Sequence, residues 1–248
     1  MRYKLLGCKI LEREIASVIY SCRNSIDVTL IQQKYHNRPE YLKKVLQEEI
    51  DMIDENHHRY SNNTDENDFD AILLGYGLCS NIVAGLSSRR YPLVIPKAHD
   101  CITLLMGDKD RYMEYYKKHP GTYYSSPGFS ELVHVDDTDA LRRRYEMYLI
   151  RYHGNEKHAR RAVEIEAEFT QSYQRIAYIQ WPGLDLPEYE EKARKKAEEK
   201  NWSFELIQGD HSILKQMVDG DWPEDRFLVV RPGHHAEPSY DEEILEEK

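Results

Sequence analysis

Short unbroken apolar runs closed by glycine or proline recur along this chain, and between them apolar residues return every three or four positions. Tyr3-Lys-Leu-Leu-Gly-Cys8, Asp70-Ala-Ile-Leu-Leu-Gly75 and Tyr91-Pro-Leu-Val-Ile-Pro96 are of the first kind. Runs of about four to six apolar residues bounded in this way predict strands covered on both faces, as in a parallel sheet. Ile26 to Ile31 alternates well enough for a further strand. Leu11, Ile15, Val18 and Ile19 predict a helix over 10–22. Leu42, Val45, Leu46, Ile50 and Ile53 predict a second helix, with Pro39 suited to its first turn. A short helical piece is expected over 81–86, and a single helix over 102–118 capped by Asp100.

The hydroxyl-rich segment from Pro120 to Gly128 reads as a short strand or loop, and residues 57–68 as a polar surface loop. From Asp136 to Tyr173 the pattern is helical and charged, with an interruption at Gly154-Asn155 that predicts an inserted helical hairpin. Strand and helix then alternate again, with strands over 175–180, 203–207 and 226–231 and helices over 187–200 and 212–218. The expected fold is therefore α/β: Rossmann-like three-layer sandwiches with mainly parallel sheet, in two βαβ-type halves joined by the helical insertion. The corresponding domains are 1–135, 136–174 and 175–248.

Three of these strands run out into small turns that carry a thiol: Gly7-Cys8, Gly75-Tyr-Gly77-Leu-Cys79 and Lys97-Ala-His-Asp-Cys101. Ligands collect outside the carboxyl ends of the strands in open parallel sheets. If the three strands lie side by side and point the same way, their thiols converge at one edge. Cys22 follows no strand end and reads as a small buried hydrophobe. In the first turn of a helix, Cys101 is expected to have a lowered thiol pKa, through the helix dipole and the free amides.

Structural zinc closes its shell with four protein ligands, whereas three ligands and an open position are the pattern of reactive metal sites. A four-iron cluster on three cysteines obeys the same logic. Cys8, Cys79 and Cys101 are accordingly candidate metal ligands, with an iron–sulfur cluster the expected cofactor and zinc the alternative. His99 and Asp100 are candidate catalytic groups for proton transfer beside them. Gly75, Tyr76, Gly77 and Thr103, the hydroxyl set Thr122, Tyr123, Tyr124 and Ser125, and His234 in the last turn are candidate ligand-binding residues. The competing reading is that all three cysteines are ordinary buried residues at strand ends.

Composition narrows the picture. Lys plus Arg number 34 against 44 Asp plus Glu, a net charge of −10, which argues against a nucleic-acid surface that must neutralise phosphates. No apolar run approaches the roughly eighteen residues of a membrane helix, and the amino terminus reads as a strand rather than a signal peptide, so a cytoplasmic protein without a membrane partner is expected. Four cysteines are too few and too scattered for a disulfide framework. Tyrosine, with 19 copies against 5 phenylalanines, points to amphipathic helix faces and subunit contacts or to the lining of a polar pocket. The GYGLCS turn has only the first two glycines of the dinucleotide fingerprint, and the chain lacks GxxxxGK[ST], HExxH, GxSxG and the DxHxxG of corrinoid-carrying modules.

The motifs LLGYGLC, PLVIPKAHDCITLLMGD and PGTYYSSPG, with the amino-terminal Gly-Cys strand, resemble the bacterial and archaeal family catalogued as domain of unknown function 1638. The likeness is strongest over residues 70–130, and 153–170 departs from the usual pattern. It implies that Cys8, Cys79 and Cys101 match the family's cysteines. It further implies a place near corrinoid-dependent methyltransfer, hence one-carbon metabolism and a corrinoid protein or methyltransferase as partner.

Three readings follow. The first is a metal-dependent protein that polarises a small oxygenated substrate at the open position. The second is a non-catalytic accessory that docks on a methyltransferase through the charged hairpin, and the third is a metal-free small-molecule binder.

Overall fold

From Tyr3 onward, every residue of the first strand, β1 (Arg2–Cys8), is buried, as its unbroken apolar run requires. Even Lys4, only 1% exposed, is carried inside, where its ammonium donates to Asp27 at 2.6 Å on the neighbouring strand. The fold is that of a computed structural model and is described for residues 1–56, 68–133, 138–239 and 241–248. The expected polar loop therefore lies outside the described residues, Asp68 excepted.

β1 is flanked by β2 (Ser25–Ile31) and β3 (Ala71–Gly75), and β4 (Leu93–Pro96) lies beyond β3, all four running parallel. A fifth strand, β8 (Phe227–Val230), closes this sheet next to β4 and runs antiparallel to it, giving the order β2-β1-β3-β4-β8. A separate, all-parallel sheet of order β5-β6-β7 is formed by β5 (Thr122–Ser125), β6 (Arg175–Gln180) and β7 (Ser203–Gln208). A two-stranded antiparallel ribbon, β9 (Ala236–Pro238) with β10 (Leu245–Glu247), was not anticipated. The architecture is mixed α/β with mostly parallel sheets.

The helices are α1 (Glu12–Tyr20), α2 (Pro39–Asp54), α3 (Cys101–Met106), α4 (Lys109–Lys118), α5 (Pro127–Leu132), α6 (Thr138–Arg151), α7 (Glu156–Gln171), α8 (Pro187–Lys200) and α9 (Ser212–Asp219). The predicted single helix over 102–118 is two helices, because Gly107 takes a left-handed conformation at φ 73° and ends α3. Residues 81–86 form turns rather than a helix. The Pro120–Gly128 segment supplies β5 and then the start of α5, with Pro127 in its first turn and Ser126 as its cap.

Two compact units divide the chain: residues 1–112, 181–184 and 209–248 form one, and 113–180 with 185–208 the other. The expected boundaries at 135 and 174 do not follow these units. The final strand also does not continue a second βαβ half. It returns to the first sheet, where the buried ends of its four-residue run, Phe227 and Val230, meet the fully buried β4. In the second unit Ile176, Tyr178, Ala193 and Ala197 form a core against which Tyr123, Tyr189, Trp202 and Phe204 pack.

Candidate functional site

Four parallel strands of the first unit end at one edge of the sheet, and each is followed by a residue with reactive chemistry. β1 ends on Cys8, which is buried. The short 3-10 turn Gln33–Asn37 after β2 carries His36, whose Nε2 lies 3.2 Å from the Cys8 Sγ. β3 leads through Gly75, Tyr76 and Gly77 to Cys79, and β4 leads through Lys97, Ala98, His99 and Asp100 to Cys101.

The loops after β3 and β4 are joined by backbone hydrogen bonds. Leu78 N–H donates to the Ala98 carbonyl at 2.7 Å and Cys79 N–H to the His99 carbonyl at 2.9 Å. Gly77 makes this approach possible, since a Cβ there would stand 2.6 Å from the Ala98 oxygen and 2.9 Å from the Asp100 nitrogen. The glycine thus lets the two loops pack backbone against backbone. Cys79, Ser80 and Asn81 then take left-handed conformations in succession, at φ 43°, 62° and 66°. Each non-glycine residue held there costs on the order of 1 kcal/mol or more, and such strain clusters where function constrains the backbone.

The three thiols share one electrostatic neighbourhood. Burial pushes Cys8 up to about 11. Burial is also the largest cause for Cys79, raised to about 12, with Asp100 and Cys8 adding to it. Cys101 is raised well above the usual thiol range by burial, then by Cys79, Asp100 and Cys8. Cys79 and Cys101 are half-exposed as residues, so it is the surroundings of their thiols that are closed. The expectation of a lowered Cys101 pKa is overturned: α3 has only six residues, and its dipole is outweighed by burial and two neighbouring thiols. Burial also lowers His36, favouring a neutral imidazole. Among the described residues no three His, Cys, Asp or Glu side chains are grouped so as to hold a metal ion as they now stand.

Tyr76 closes the cluster from within. It is 1% exposed, its ring lies stacked on His36 with centroids 6.0 Å apart, and its pKa is raised well above the usual value by burial, then by Cys8 and Cys79. Among the described residues, nothing bonds its hydroxyl.

The remaining candidates divide sharply. Asp100 is the α3 cap: its Oδ1 accepts from the Thr103 amide at 3.0 Å and the Thr103 hydroxyl at 3.3 Å, and its Oδ2 accepts from Tyr112 at 3.1 Å. Both its oxygens and Thr103 are committed to structure, and His99 is exposed. His234 does not join the cluster. β8 runs against β4, so the turn after it lies beside residues preceding β4, with Gly233 N–H on the Ser88 carbonyl and His235 bridged to Ser87. That is the opposite end of the sheet from the thiols.

Thr122, Tyr123, Tyr124 and Ser125 form β5 of the second unit. The Thr122 hydroxyl donates to the His119 carbonyl at 2.7 Å, Ser125 Oγ lies 3.3 Å from Ser130 Oγ, and Tyr123 packs on Tyr173 and Trp202. Cys22 is half-buried, and its thiol donates to the Val218 carbonyl at 3.1 Å. His36 was missed by the sequence reading; its only signal is its place a few residues past the end of β2, on the register that pairs Ile31 with Cys8.

The parallel strands of a mixed α/β sheet thus run out at one edge into three thiols, an imidazole and a buried phenol. The chain belongs to the family described as Protein of unknown function (DUF1638), which it matches over residues 30–218. The match takes in His36, Tyr76, Cys79 and Cys101, and Cys8 precedes it. No curated protein and no solved structure matches the chain.

Proposed function

We propose that Cys8, Cys79 and Cys101 bind a metal, as ligands to an iron–sulfur cluster or alternatively to zinc, and leave one coordination position open to a small oxygenated molecule. The observation that carries this reading is that three adjacent parallel strands run out at one edge of the sheet into Cys8, Cys79 and Cys101, the last two on loops joined by backbone hydrogen bonds, with burial raising all three thiols. A metal would draw them together as their protons leave, and the strained turn at Cys79–Asn81 holds the central thiol where the loops meet. When bound, the metal would supply Lewis acidity toward the substrate oxygen. The chain's own part is to hold the three sulfurs, exclude water and keep His36 neutral beside Cys8. In this reading the parallel part of the first sheet is a Rossmann-like layered scaffold, and the protein works in the cytoplasm.

Purification without oxygen, followed by assay of iron, zinc and sulfide, tests it. The expected result is stoichiometric metal that is lost in Cys8→Ser, Cys79→Ser and Cys101→Ser and retained in Cys22→Ser. Sulfide decides for a cluster. Folded, metal-free wild type that takes up neither iron nor zinc overturns the reading.

One observation favours a second reading, an accessory to corrinoid-dependent methyltransfer. The α6–α7 hairpin of the second unit exposes Leu141, Ile150 and Ile165, and a groove of about 610 Å³ between its helices is lined by Tyr148, Arg151, Tyr152, His158 and Arg161 among others. Stoichiometric capture of a corrinoid protein or methyltransferase, abolished by Ile150→Glu with Ile165→Glu, would favour it; wild-type capture unaffected by the substitutions would remove the hairpin from it.

A further inference from the structure

Tyr76 stands out within the thiol cluster because its side chain is buried and, among the described residues, nothing bonds its hydroxyl. A buried hydroxyl without a partner is destabilising and is uncommon in folded proteins. Phenylalanine would fill the same apolar volume without that cost, so packing alone does not call for a tyrosine. The hydroxyl belongs to the thiol site: Cys8 and Cys79 both act on it electrostatically, and the ring it terminates lies stacked on His36, which contacts the Cys8 sulfur.

Other polar side chains near this edge are already engaged. Asp100 accepts from Thr103 and Tyr112, Thr103 donates back to Asp100, and Lys97 pairs with Glu243. The groups that act on the three thiols are Asp100 and the thiols themselves, with no lysine or arginine among them. Lys97 and Lys9 at this edge are already paired with Glu243 and Glu12, so a multiply charged anion would have to compete for engaged counter-ions, and burying an unpaired charge is costly. A neutral donor suits a single polarised oxygen, that of a carbonyl compound or a small monocarboxylate.

We propose that the Tyr76 hydroxyl is the donor to the oxygen of a small carbonyl or monocarboxylate compound bound at the open coordination position of the three-thiol metal. Tyr76 thereby selects for an oxygen acceptor at the position where the metal would bind it. This inference rests on the three-thiol reading and goes beyond it by naming the recognising residue and the ligand class.

The test uses the full chain loaded with Co²⁺ without oxygen, because thiolate-to-cobalt absorption reports an intact site and the visible cobalt bands report what fills the open position. Acetate and inorganic phosphate are the probes. The wild type is expected to show the thiolate band and to respond to acetate but not to phosphate. Tyr76→Phe is expected to keep the band while its acetate affinity falls about tenfold or more, as for a lost hydrogen bond to a charged group. Retention of the thiolate band shows that the variant's site is assembled. An unchanged acetate affinity in Tyr76→Phe overturns the proposal, as does a wild type that prefers phosphate or ignores acetate. A wild type with no thiolate band and no iron, zinc or sulfide on anaerobic purification defeats the metal reading itself and the proposal with it; no thiolate band in a chain that carries iron and sulfide moves the same acetate and phosphate titrations to the cluster-loaded protein, where an unchanged acetate affinity in Tyr76→Phe overturns the proposal.

Discussion

The parallel strands of the two larger sheets treat their polar groups in opposite ways. Along β5, β6 and β7 polar groups satisfy one another from one end of the sheet to the other: Thr122 bonds the His119 carbonyl and Tyr115 and Arg175 both bond Glu205 toward the amino ends, while at the carboxyl ends Ser125 meets Ser130 and Gln208 Nε2 donates to the Gln180 carbonyl. Along β1, β3 and β4 the chain instead places three raised thiols, a phenol that nothing among the described residues bonds, and three consecutive left-handed residues. Both edges are rich in small and hydroxyl-bearing residues. What separates a candidate site from a connector is whether its polar groups find partners within the fold.

The largest expected effect comes from the thiols. Three thiols protonated in the metal-free protein must each release a proton to bind a metal, so apparent metal affinity should rise with pH by up to about a thousandfold per unit between pH 6 and 9. A competition titration with a chromophoric chelator at several pH values measures the slope. A slope of one proton or fewer would break the contrast between the edges.

Next in size is the stability of the metal-free protein. The unfolded chain ionises its thiols near pH 8.5 to 9, while folded Cys8 and Cys79 hold their protons to about 11 and about 12. Above pH 9 the unfolded state binds fewer protons, so stability is full below that point and falls by several kcal/mol, on the order of 1.4 kcal/mol per unit per thiol, as pH climbs toward 11. His36 works in the other direction. Its lowered folded pKa makes stability fall as pH drops below about 6.5, where the unfolded imidazole protonates first. Urea midpoints across pH 5 to 11 should therefore peak between these limits, and Cys79→Ser should flatten the alkaline limb.

Gly77→Ala should cost about 1–3 kcal/mol, because the added Cβ meets the Ala98 carbonyl and not a yielding side chain. It should also part the loops that bring Cys79 to Cys101, so metal loading falls together with the urea midpoint. At the satisfied edge Ser125→Ala removes one neutral hydrogen bond and should cost about 1 kcal/mol with metal content unchanged. The smallest effect sharpens the comparison most. Tyr76→Phe in the metal-free protein should be neutral or stabilising by up to about 1 kcal/mol, since the hydroxyl it removes has no partner among the described residues.

The elements that carry the thiols were legible because their signals are local: an apolar run, a breaking glycine or proline, a cysteine. β8 shows where this stops. Phe-Leu-Val-Val reads alike in a parallel or an antiparallel setting, and its partner, β4, lies more than a hundred residues earlier in the chain. Its direction decides that His234 lies at the far end from the thiols. His36 escaped notice because a 3-10 turn with no glycine or cysteine brings it back toward Cys8. The left-handed turn was equally hidden, since Cys79, Ser80 and Asn81 include no glycine to announce it. The Cys101 pKa was misjudged because neighbours in space, unreadable in one dimension, outweigh a short helix's dipole.

The return of β8 to β4 sets an order of events during synthesis. β1 to β4, with all three thiols, leave the ribosome before the whole second unit, and β4 keeps an open edge until residues 227–230 arrive to pair with 93–96. Such long-range pairing is slow, and an unpaired strand edge invites association with other chains meanwhile. Under the proposed metal reading, early capture of an ion by the nascent thiols would hold three of the four parallel strands in register through that wait, and metal supply during expression would then govern how much of the protein escapes aggregation.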